Sequence, residues 1–400
     1  MRRAHAGLAI LLLLAAAVTV ASPVPTPVPL TTGADSGEPV LSTSADGALV
    51  LSWLEPVDAT RHALRWSRWQ GAGWSTPATA LALDSLFVNW ADVPAVIATR
   101  GDTLFAHVLR RTASGTYDYA VHVSCSVDGG AHWTAPRPLH AGGARGEHGF
   151  VSVVPAPGGA DYVWLDGRAM AADPENGSMM LRHTRVGPTG EPGPETLLDA
   201  RTCECCRTGL ARTHDGLVAV YRDRSEHEVR DIHIVRRVAG AWLDPAPVAH
   251  DGWVVEGCPV NGPAVATAGD TLLVAWTTSV RDTLRLHAAW SFDGGATFDA
   301  VRRLDDGAVT GRADVTLLPN GTAAVSWIEG EGATARIRVR RVAPAGAPGA
   351  PITVADTHTA RRAGFPRIAC MGDDLVFAWT EPGAHPRVRT ARLPVAALPN

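Results

Sequence analysis

The chain has 400 residues and a formal net charge of −4, and all 36 of its basic residues are arginine. The absence of lysine excludes Schiff-base chemistry and the phosphate-binding lysine of a P-loop or a kinase. A mildly acidic chain without a basic run gives no reason to expect nucleic acid as a partner.

The N-terminal segment predicts export. Arg2 and Arg3 precede an apolar run over residues 8–20 and a small-residue cleavage site at 19–21, which is typical of a signal peptide over residues 1–22. An uncleaved anchor is the alternative, although the run is short and passes into a Pro-rich segment, 23–37, that predicts an extended linker. No later stretch has the roughly eighteen continuous apolar residues of a membrane span. We expect a periplasmic or secreted protein.

Residues 38–400 repeat with a period of about fifty residues, which predicts a single domain. Each unit has an apolar strand, a turn, a second apolar strand that ends in a bulky residue, a polar loop, a third strand rich in Arg or His, and a weak fourth strand. Second strands are predicted at 48–53, 103–108, 161–164, 217–221, 271–276, 322–327 and 374–379, and third strands at 63–68, 120–126, 179–185, 231–237, 284–291, 335–341 and 387–393. This all-β pattern of seven units indicates a β-propeller of four-stranded antiparallel blades.

Two turns share the pattern Ser-x-Asp-Gly-Gly-x-x-aromatic, at residues 126–133 and 291–298. In a hairpin turn of this kind the Asp accepts bonds from backbone N–H groups, a glycine takes positive φ, and the aromatic ring folds back onto the blade. We therefore predict a structural role for Ser126, Asp128, Gly130, Trp133, Ser291, Asp293, Gly295 and Phe298.

These turns resemble the Asp-box of bacterial-neuraminidase (BNR) repeats, the mark of sialidases and related propellers. The resemblance covers nearly all of residues 38–396 and implies a six-bladed arrangement as the alternative to seven units. It also implies an exo-sialidase-type glycoside hydrolase acting on anionic glycans as one candidate function. Sialidases use an arginine triad for the substrate carboxylate, a tyrosine nucleophile activated by a glutamate, and an aspartate acid/base. The aromatic-Arg-Ile-Pro motif of the family is missing. Residues 365–368 contain the same residue types but read Phe-Pro-Arg-Ile, which is the wrong order, and they lie at the wrong end of the chain.

One face of the predicted propeller should carry the ligand site. Because strands alternate in direction, loops from second to third strands share a face with the segments that lead into the first strands, and the two Asp-Gly-Gly turns lie opposite. We call this the cysteine face. Its second-strand loops carry residues 166–168, 222–226, 329–331 and 381, and its leading segments carry residues 89–92, 147–148, 203–207, 258–261, 312–314 and 361–362.

The loops after two second strands suggest an anion site. Guanidinium groups of Arg168, Arg222 and Arg224 would bind a carboxylate or sulfate bidentately. The alternative is that these arginines pair with neighbouring acids as a rim network. If the chain is an enzyme, the candidate catalytic residues are Asp166, Asp223, Glu226 and Tyr117, since Tyr119 begins a third strand and the other two tyrosines face the core.

Four of the six cysteines lie on the cysteine face: Cys203, Cys205, Cys206 and Cys258. An exported chain favours disulfides, with Cys205 or Cys206 joined to Cys258 and stapling the fourth unit to the fifth. A thiolate site for a soft metal, copper or zinc, and a redox-active thiol pair are the alternatives. Cys125 and Cys370 are predicted to be buried as apolar residues.

Together these features predict an exported propeller that binds a ligand or glycan at a Cys- and Arg-rich site. The expected partner is a small anionic ligand, a glycan or another exported protein, and no cofactor is certain. The alternative is the sialidase-type hydrolase.

Overall fold

The computed structural model describes residues 23–44, 46–141 and 145–400, which form seven antiparallel sheets arranged as the blades of a propeller. The seven predicted units are confirmed, and the six-bladed alternative is wrong. Residues 1–22, where the signal peptide is predicted, lie outside the described residues. Within the described ranges, no helix is long and apolar enough to cross a membrane.

The strands follow the predicted order within each blade. Strand β1 (Thr26–Val28) comes first in the chain and is an outer strand of blade 7. The remaining strands are, for blade 1, β2 (Gly37–Thr43), β3 (Leu49–Pro56), β4 (His62–Arg68) and β5 (Ala78–Leu83); for blade 2, β6 (Ala95–Ala98), β7 (Leu104–Arg111), β8 (Tyr119–Ser126) and β9 (Arg137–Pro138); for blade 3, β10 (His148–Ala156), β11 (Gly159–Asp166), β12 (Met180–Val186) and β13 (Thr196–Asp199); and for blade 4, β14 (Gly209–Arg212), β15 (Gly216–Arg222), β16 (Ile232–Val238) and two outer pieces, β17 (Ala241–Trp242) and β18 (Ala246–Pro247).

The last three blades have the same order. They contain β19 (Ala264–Ala268), β20 (Thr271–Val280), β21 (Thr283–Ser291) and β22 (Arg302–Arg303) in blade 5; β23 (Val309–Leu317), β24 (Ala323–Glu329), β25 (Arg336–Val342) and β26 (Ile352–Asp356) in blade 6; and β27 (Arg367–Met371), β28 (Asp374–Glu381) and β29 (Arg387–Pro394) in blade 7. Helix α1 (Arg168–Ala172) and the short 3₁₀ helices Gly332–Thr334 and Arg361–Ala363 lie in connections, and a third 3₁₀ helix, Val395–Ala397, follows β29.

Strand β1 closes the ring by pairing antiparallel with β29, so that Thr26 faces Arg392 and Val28 faces Thr390. The Thr390 hydroxyl also donates a hydrogen bond of 2.7 Å to the Val28 carbonyl. The prediction of a linker over 23–37 is therefore wrong for this strand, which belongs to the propeller. Its proline is tolerated because an outer strand needs backbone bonds on one side only.

Packing between neighbouring blades forms the core. The bulky residues predicted at the ends of second strands are fully buried, among them Trp53, Trp164, Trp276 and Trp327. Trp164 of blade 3, for example, packs in one cluster with Phe105 of blade 2. A single blade cannot cover such residues, so each one stabilises the ring by joining two blades, and truncation of a buried Trp typically costs about 3–5 kcal/mol.

The two Ser-x-Asp-Gly-Gly turns have matching hydrogen bonds. Asp293 Oδ1 accepts from the Thr297 N–H at 2.9 Å, and the Ser291 hydroxyl accepts from the Gly295 N–H at 2.9 Å. Gly295 has a φ of 83°, and a Cβ there would lie 2.6 Å from Ile234 of the preceding blade. Glycine is thus required by both conformation and space.

The first of these turns repeats the pattern. Asp128 Oδ1 accepts from the His132 N–H at 2.9 Å, and the Ser126 hydroxyl accepts from the Gly130 N–H at 2.9 Å. The Trp133 indole donates to the Gly130 carbonyl at 3.2 Å. Both turns join a third strand to a fourth strand and therefore lie on the face opposite the cysteines.

Candidate functional site

The innermost strands of the seven blades surround the propeller axis. Strands β2, β6, β10, β14, β19, β23 and β27 each contact the next around a closed ring. They enclose a cavity of about 180 Å³, whose polar lining includes Ser42, Ser152, Arg207, Thr208, Asp314 and Arg367. The segments leading into the first strands bring their side chains to this axial pocket, since the first strand is the innermost of each blade.

Arg207 is the most unusual of these residues. It lies between Cys206 and strand β14, and its guanidinium carbon is 4.7 Å from the centre of the Phe365 ring. Its side chain makes no hydrogen bond or ion pair with any other described residue. Burial and the like charge of Arg367 lower the pKa of Arg207 well below its ordinary value, against the opposing effect of Asp314 and Asp92. The site therefore favours an added negative charge.

Arg367 contributes a second positive charge to the axial pocket. Its Nε donates to the Pro39 carbonyl at 3.3 Å, and its Nη1 lies 3.8 Å from Asp314 Oδ2. Burial lowers the pKa of Arg367, while Asp314 raises it. The axial pocket thus contains one partly exposed carboxylate, that of Asp314, and two arginines, Arg207 and Arg367.

Arg312, in contrast, is occupied by backbone groups. It donates to the carbonyls of Thr359, Ala360 and Gly364 at 2.9, 3.1 and 3.0 Å. Its guanidinium also lies over the Trp90 ring at 4.8 Å. Arg312 therefore holds the segment before β27 in place, and that segment carries Phe365 against Arg207.

A buried tyrosine lies between two acids beside this pocket. The Tyr119 hydroxyl is 2.7 Å from Asp92 Oδ2 and 2.9 Å from Glu147 Oε1. Burial raises the pKa of Asp92 to about 7 and that of Glu147 to about 7. Because one hydroxyl carries one proton, a proton held by either acid is needed to satisfy both short contacts. The three groups form a proton-sharing cluster.

The predicted anion site is not where an anion could bind. The guanidinium of Arg168 is paired with Asp166 at 2.6 Å and with Glu195 at 2.9 Å. Asp166 is fully buried and also accepts from the Trp164 indole at 2.8 Å. Burial raises the pKa of Asp166, but hydrogen bonds from His148, Arg168 and Trp164 lower it below its ordinary value. This pair is a satisfied rim network.

Arg222 is 1% exposed. It donates to the carbonyls of Arg230, Asn261 and Thr277 at 2.6, 2.8 and 2.6 Å. It also lies under the Trp253 ring at 4.9 Å. The prediction that Arg222 binds an anion is corrected, because its donors are used inside the protein.

Arg224 is likewise occupied. It pairs with Glu228 at 2.7 Å and with Glu204, and Arg230 pairs with the same two acids at 2.8 and 3.0 Å. The rim-network alternative therefore describes Arg168 and Arg224, whereas Arg222 is bonded to buried backbone carbonyls. The two arginines that face the axial pocket are other residues, Arg207 and Arg367.

The remaining candidate catalytic residues do not come together. Asp223 is half-buried and lies 3.4 Å from the His233 imidazole, near Asp199. Glu226 is exposed on the β15–β16 loop. Tyr117 is 58% exposed on the β7–β8 loop, away from the acids that contact Tyr119. The structure thus supports none of these residues, nor Asp166, as parts of one catalytic arrangement.

The cysteine cluster contains one disulfide, which joins Cys205 to Cys258 and so links the segments before blades 4 and 5. Cys203 and Cys206 are free thiols, and each is 1% exposed. The sulfur atoms of Cys203, Cys205 and Cys206 all lie within 4.8 Å of one another. The disulfide prediction is confirmed for one pair. It also removes one of the three thiolates that copper or zinc would need, so a metal fits this cluster only after reduction.

The environments of the two free thiols differ. Burial raises the pKa of Cys203, but hydrogen bonds from Cys206 and the Cys205 N–H and the charges of Arg222 and Arg230 lower it to about 7. Burial and the neighbouring Cys203 raise the pKa of Cys206 well above its ordinary value. Cys203 is therefore the more readily ionised of the pair.

The two cysteines outside this cluster were both predicted to be buried. Cys125 is buried as predicted, while Cys370 is only half-buried, so that prediction was wrong for Cys370.

The arginines nearest the axis, Arg207 and Arg367, are not among those predicted from the sequence to bind an anion. The segments carrying Asp92, Glu147, Arg207 and Arg312 were all assigned to the cysteine face, but the arginines were chosen from loops after second strands. Those loops lie farther from the axis than the leading segments. The order of strands within a blade could have identified these residues, because the first strand of each propeller blade is innermost and the segment before it therefore lies near the axis.

No protein-family model matches the chain, and no curated protein matches it. Among solved structures, a Dyadobacter fermentans protein described as of unknown function is 14% identical, with a TM-score of 0.51 over 94% of this chain and 98% of that chain. The NanB sialidase from Streptococcus pneumoniae is 11% identical, with a TM-score of 0.49 over 94% and 71% of the two chains. The endosialidase of phage phi92 is 9% identical, with a TM-score of 0.49 over 93% and 69%. The likeness to the Dyadobacter fermentans protein is one of fold alone.

Proposed function

We propose that the chain is a binding propeller that takes a small anionic ligand, such as a carboxylate-bearing sugar, in the axial pocket with Arg207 as its main charged contact. The supporting observation is the Arg207 guanidinium, which lies beside Arg367 and has no hydrogen-bond partner among the described residues. A ligand carboxylate would supply the missing acceptor and reduce the repulsion between the two arginines.

The size of the pocket limits the ligand. A cavity of about 180 Å³ accommodates a carboxylate and its adjoining atoms, while the rest of a sugar would remain in the mouth. Phe365, which is buried, gives the pocket an apolar lining on one side. These features favour the charged end of a glycan over a long buried ligand.

Calorimetric titration of the purified protein with sialic acid, glucuronic acid and their methyl esters tests the proposal. The acids should bind, and the esters should bind at least about tenfold more weakly, because a charge-assisted hydrogen bond contributes about 1.5–3 kcal/mol. Arg207→Gln should lose the preference for the acid. The matched control is Arg362→Gln, an exposed arginine on the same face. Equal binding of acid and ester, unchanged binding by Arg207→Gln, or no binding of either acid would overturn the proposal.

A sialidase-type hydrolase is the second candidate, favoured by the 2.9 Å contact between the Tyr119 hydroxyl and Glu147. Tyr119 is 1% exposed, so a substrate would reach it only after the mouth opens. The test is hydrolysis of a fluorogenic sialoside by the wild type, Tyr119→Phe and the exposed control Tyr117→Phe. Loss of turnover in Tyr119→Phe but not in Tyr117→Phe supports the hydrolase. Absence of turnover in the wild type rejects the hydrolase and does not affect the result of the calorimetric titration.

We also propose that the protein works after export, in the periplasm or outside the cell. The predicted signal peptide and the disulfide both fit an oxidising compartment. Fractionation of cells that express the full chain tests this, and a protein that stays in the cytoplasm with its precursor mass would reject it.

A further inference from the structure

We propose that the four cysteines of the cysteine face form one thiol–disulfide exchange centre, in which the buried dithiol Cys203/Cys206 reduces the disulfide Cys205–Cys258, and the released Cys258 thiolate then reduces a disulfide of an exported partner. The inference is independent of the axial pocket, since it uses a separate set of side chains. It assigns a redox role to the two thiols that the disulfide leaves free.

The sulfur positions allow the exchange. Cys203, Cys205 and Cys206 have their sulfur atoms within 4.8 Å of one another, so each free thiol is close to the disulfide sulfur of Cys205. Cys203 and Cys206 also have the Cys-x-x-Cys spacing of many dithiol–disulfide couples. Two structural disulfides would use all four cysteines, whereas Cys203 and Cys206 are both free beside the Cys205–Cys258 disulfide.

Charge favours Cys203 as the attacking group. Arg230 Nη1 lies 3.4 Å from the Cys203 sulfur, and Arg230 is itself held by Glu204 at 3.0 Å and Glu228 at 2.8 Å. Arg230 is nearly fully buried, so its charge is poorly screened by solvent. The thiolate is the nucleophile in disulfide exchange, and a neighbouring cation stabilises it. Cys206 is then placed to resolve the first product.

Burial determines the order of the steps. No partner disulfide can reach Cys203 or Cys206, each 1% exposed, whereas Cys258 is exposed. The Cys203 thiolate attacks the Cys205 sulfur, forming the Cys203–Cys205 bond and releasing the Cys258 thiolate. Cys206 then attacks the Cys203 sulfur and its proton passes to the departing Cys205 sulfur, so that the Cys203–Cys206 disulfide forms and Cys205 is released as a thiol. The protein is not oxidised or reduced overall by these two steps.

Reaction with a partner disulfide completes the sequence. The Cys258 thiolate attacks the partner disulfide, forming a mixed disulfide and releasing one partner thiolate. The half-buried Cys205 loses its proton to solvent, and its thiolate attacks the Cys258 sulfur, which restores Cys205–Cys258 and releases the second partner thiolate. The buried dithiol has lost two electrons and the partner disulfide has gained them, so the exchange balances.

The experiment uses the protein purified after export, with glutathione disulfide as the probe. Release of glutathione is followed over time, and disulfides are trapped by acid and N-ethylmaleimide and mapped by peptide mass spectrometry. The wild type should release two glutathione molecules per protein and gain the Cys203–Cys206 disulfide while keeping Cys205–Cys258. Cys203→Ser should slow release at least about tenfold, because it lacks the attacking thiolate. Cys125→Ser is the control and should behave as wild type.

Other outcomes would overturn the proposal. These are two inert disulfides in the wild type, release of glutathione by Cys203→Ser at the wild-type rate, or bound copper or zinc together with thiols that do not react. Because Cys203→Ser can fail to fold, the disulfide map of the wild type is decisive by itself: an unreactive Cys203/Cys206 dithiol rejects the exchange centre.

Discussion

Arg222 donates two hydrogen bonds to one atom, the Asn261 carbonyl oxygen, from Nε at 3.2 Å and from Nη2 at 2.8 Å. The first residue ends a strand of blade 4, and the second belongs to the segment that leads into blade 5. Asn261 in turn accepts from the Arg312 N–H at 2.8 Å, in blade 6. A residue that looked like a surface anion contact is therefore a link across three blades.

Replacement of Arg222 by Met should destabilise the protein strongly. The carbonyls of Arg230, Asn261 and Thr277 would lose a buried donor, and each buried acceptor left without a partner typically costs about 1–3 kcal/mol. The matched variant Arg224→Met, whose ion pairs are partly exposed, should cost about 1 kcal/mol or less. Urea unfolding measures both, and similar losses in the two variants would contradict a structural role for Arg222.

The stability of the protein should fall as pH rises toward neutrality. The pKa values of Asp92 and Glu147 are raised to about 7 in the folded protein, from ordinary values of 3.8 and 4.5. Between the ordinary and the raised pKa values the folded state keeps protons that the unfolded chain has lost. Each retained proton therefore lowers the free energy of unfolding by up to about 1.4 kcal/mol per unit rise in pH, and the effect levels off above the raised pKa.

The Asp92→Asn variant isolates this effect. Its amide can still accept from the Phe150 N–H, which Asp92 binds at 2.7 Å, and can donate to the Tyr119 oxygen. Between about pH 5.5 and about pH 8, the drop in melting temperature should be smaller in Asp92→Asn than in the wild type, while the exposed control Asp84→Asn should match the wild type. An equal drop in all three proteins would show that the cluster does not hold the proton.

The turn at Asp293 should contribute to stability and leave ligand binding unchanged. Asp293→Ala removes the acceptor of the Thr297 N–H and of the Ser291 hydroxyl, which lie at 2.9 and 2.8 Å. A loss of about 1–2 kcal/mol is expected in denaturant unfolding, as for loss of a capping side chain. Asp299→Ala, at an exposed position, is the control. If the folded Asp293→Ala protein binds sialic acid more weakly than the wild type, the placement of this turn on the face opposite the cysteine face is contradicted.

Removal of strand β1 should weaken ring closure. A mature chain that begins at Pro29 loses the buried Val28 and the acceptor of the Thr390 hydroxyl, whereas one that begins at Thr26 keeps both. The shorter chain should be less stable by about 2–4 kcal/mol, from one apolar side chain and a few hydrogen bonds. Equal melting temperatures for the two chains would indicate that the strand is dispensable.

The blades could be predicted because their signal is local. Alternating apolar residues at a regular period mark each second and third strand, and the predicted ranges lie within a few residues of the observed ones, as for 271–276 and β20. Strand β1 could not be found in this way. It has three residues, one of them proline, and its partner in β29 lies at the other end of the chain.

The amino-acid sequence by itself determined the number of blades, the cysteine face and the segments that reach it, because strand alternation and repeat order depend on neighbouring residues alone. Tertiary structure decided which arginines are free to meet a ligand. Arg222 and Arg207 look alike as charged residues near a blade end, yet Arg222 donates to carbonyls of its own blade and of the next, while Arg207 faces the axis. That difference arises from contacts between blades and from distance to the axis, which exist only once the ring has closed.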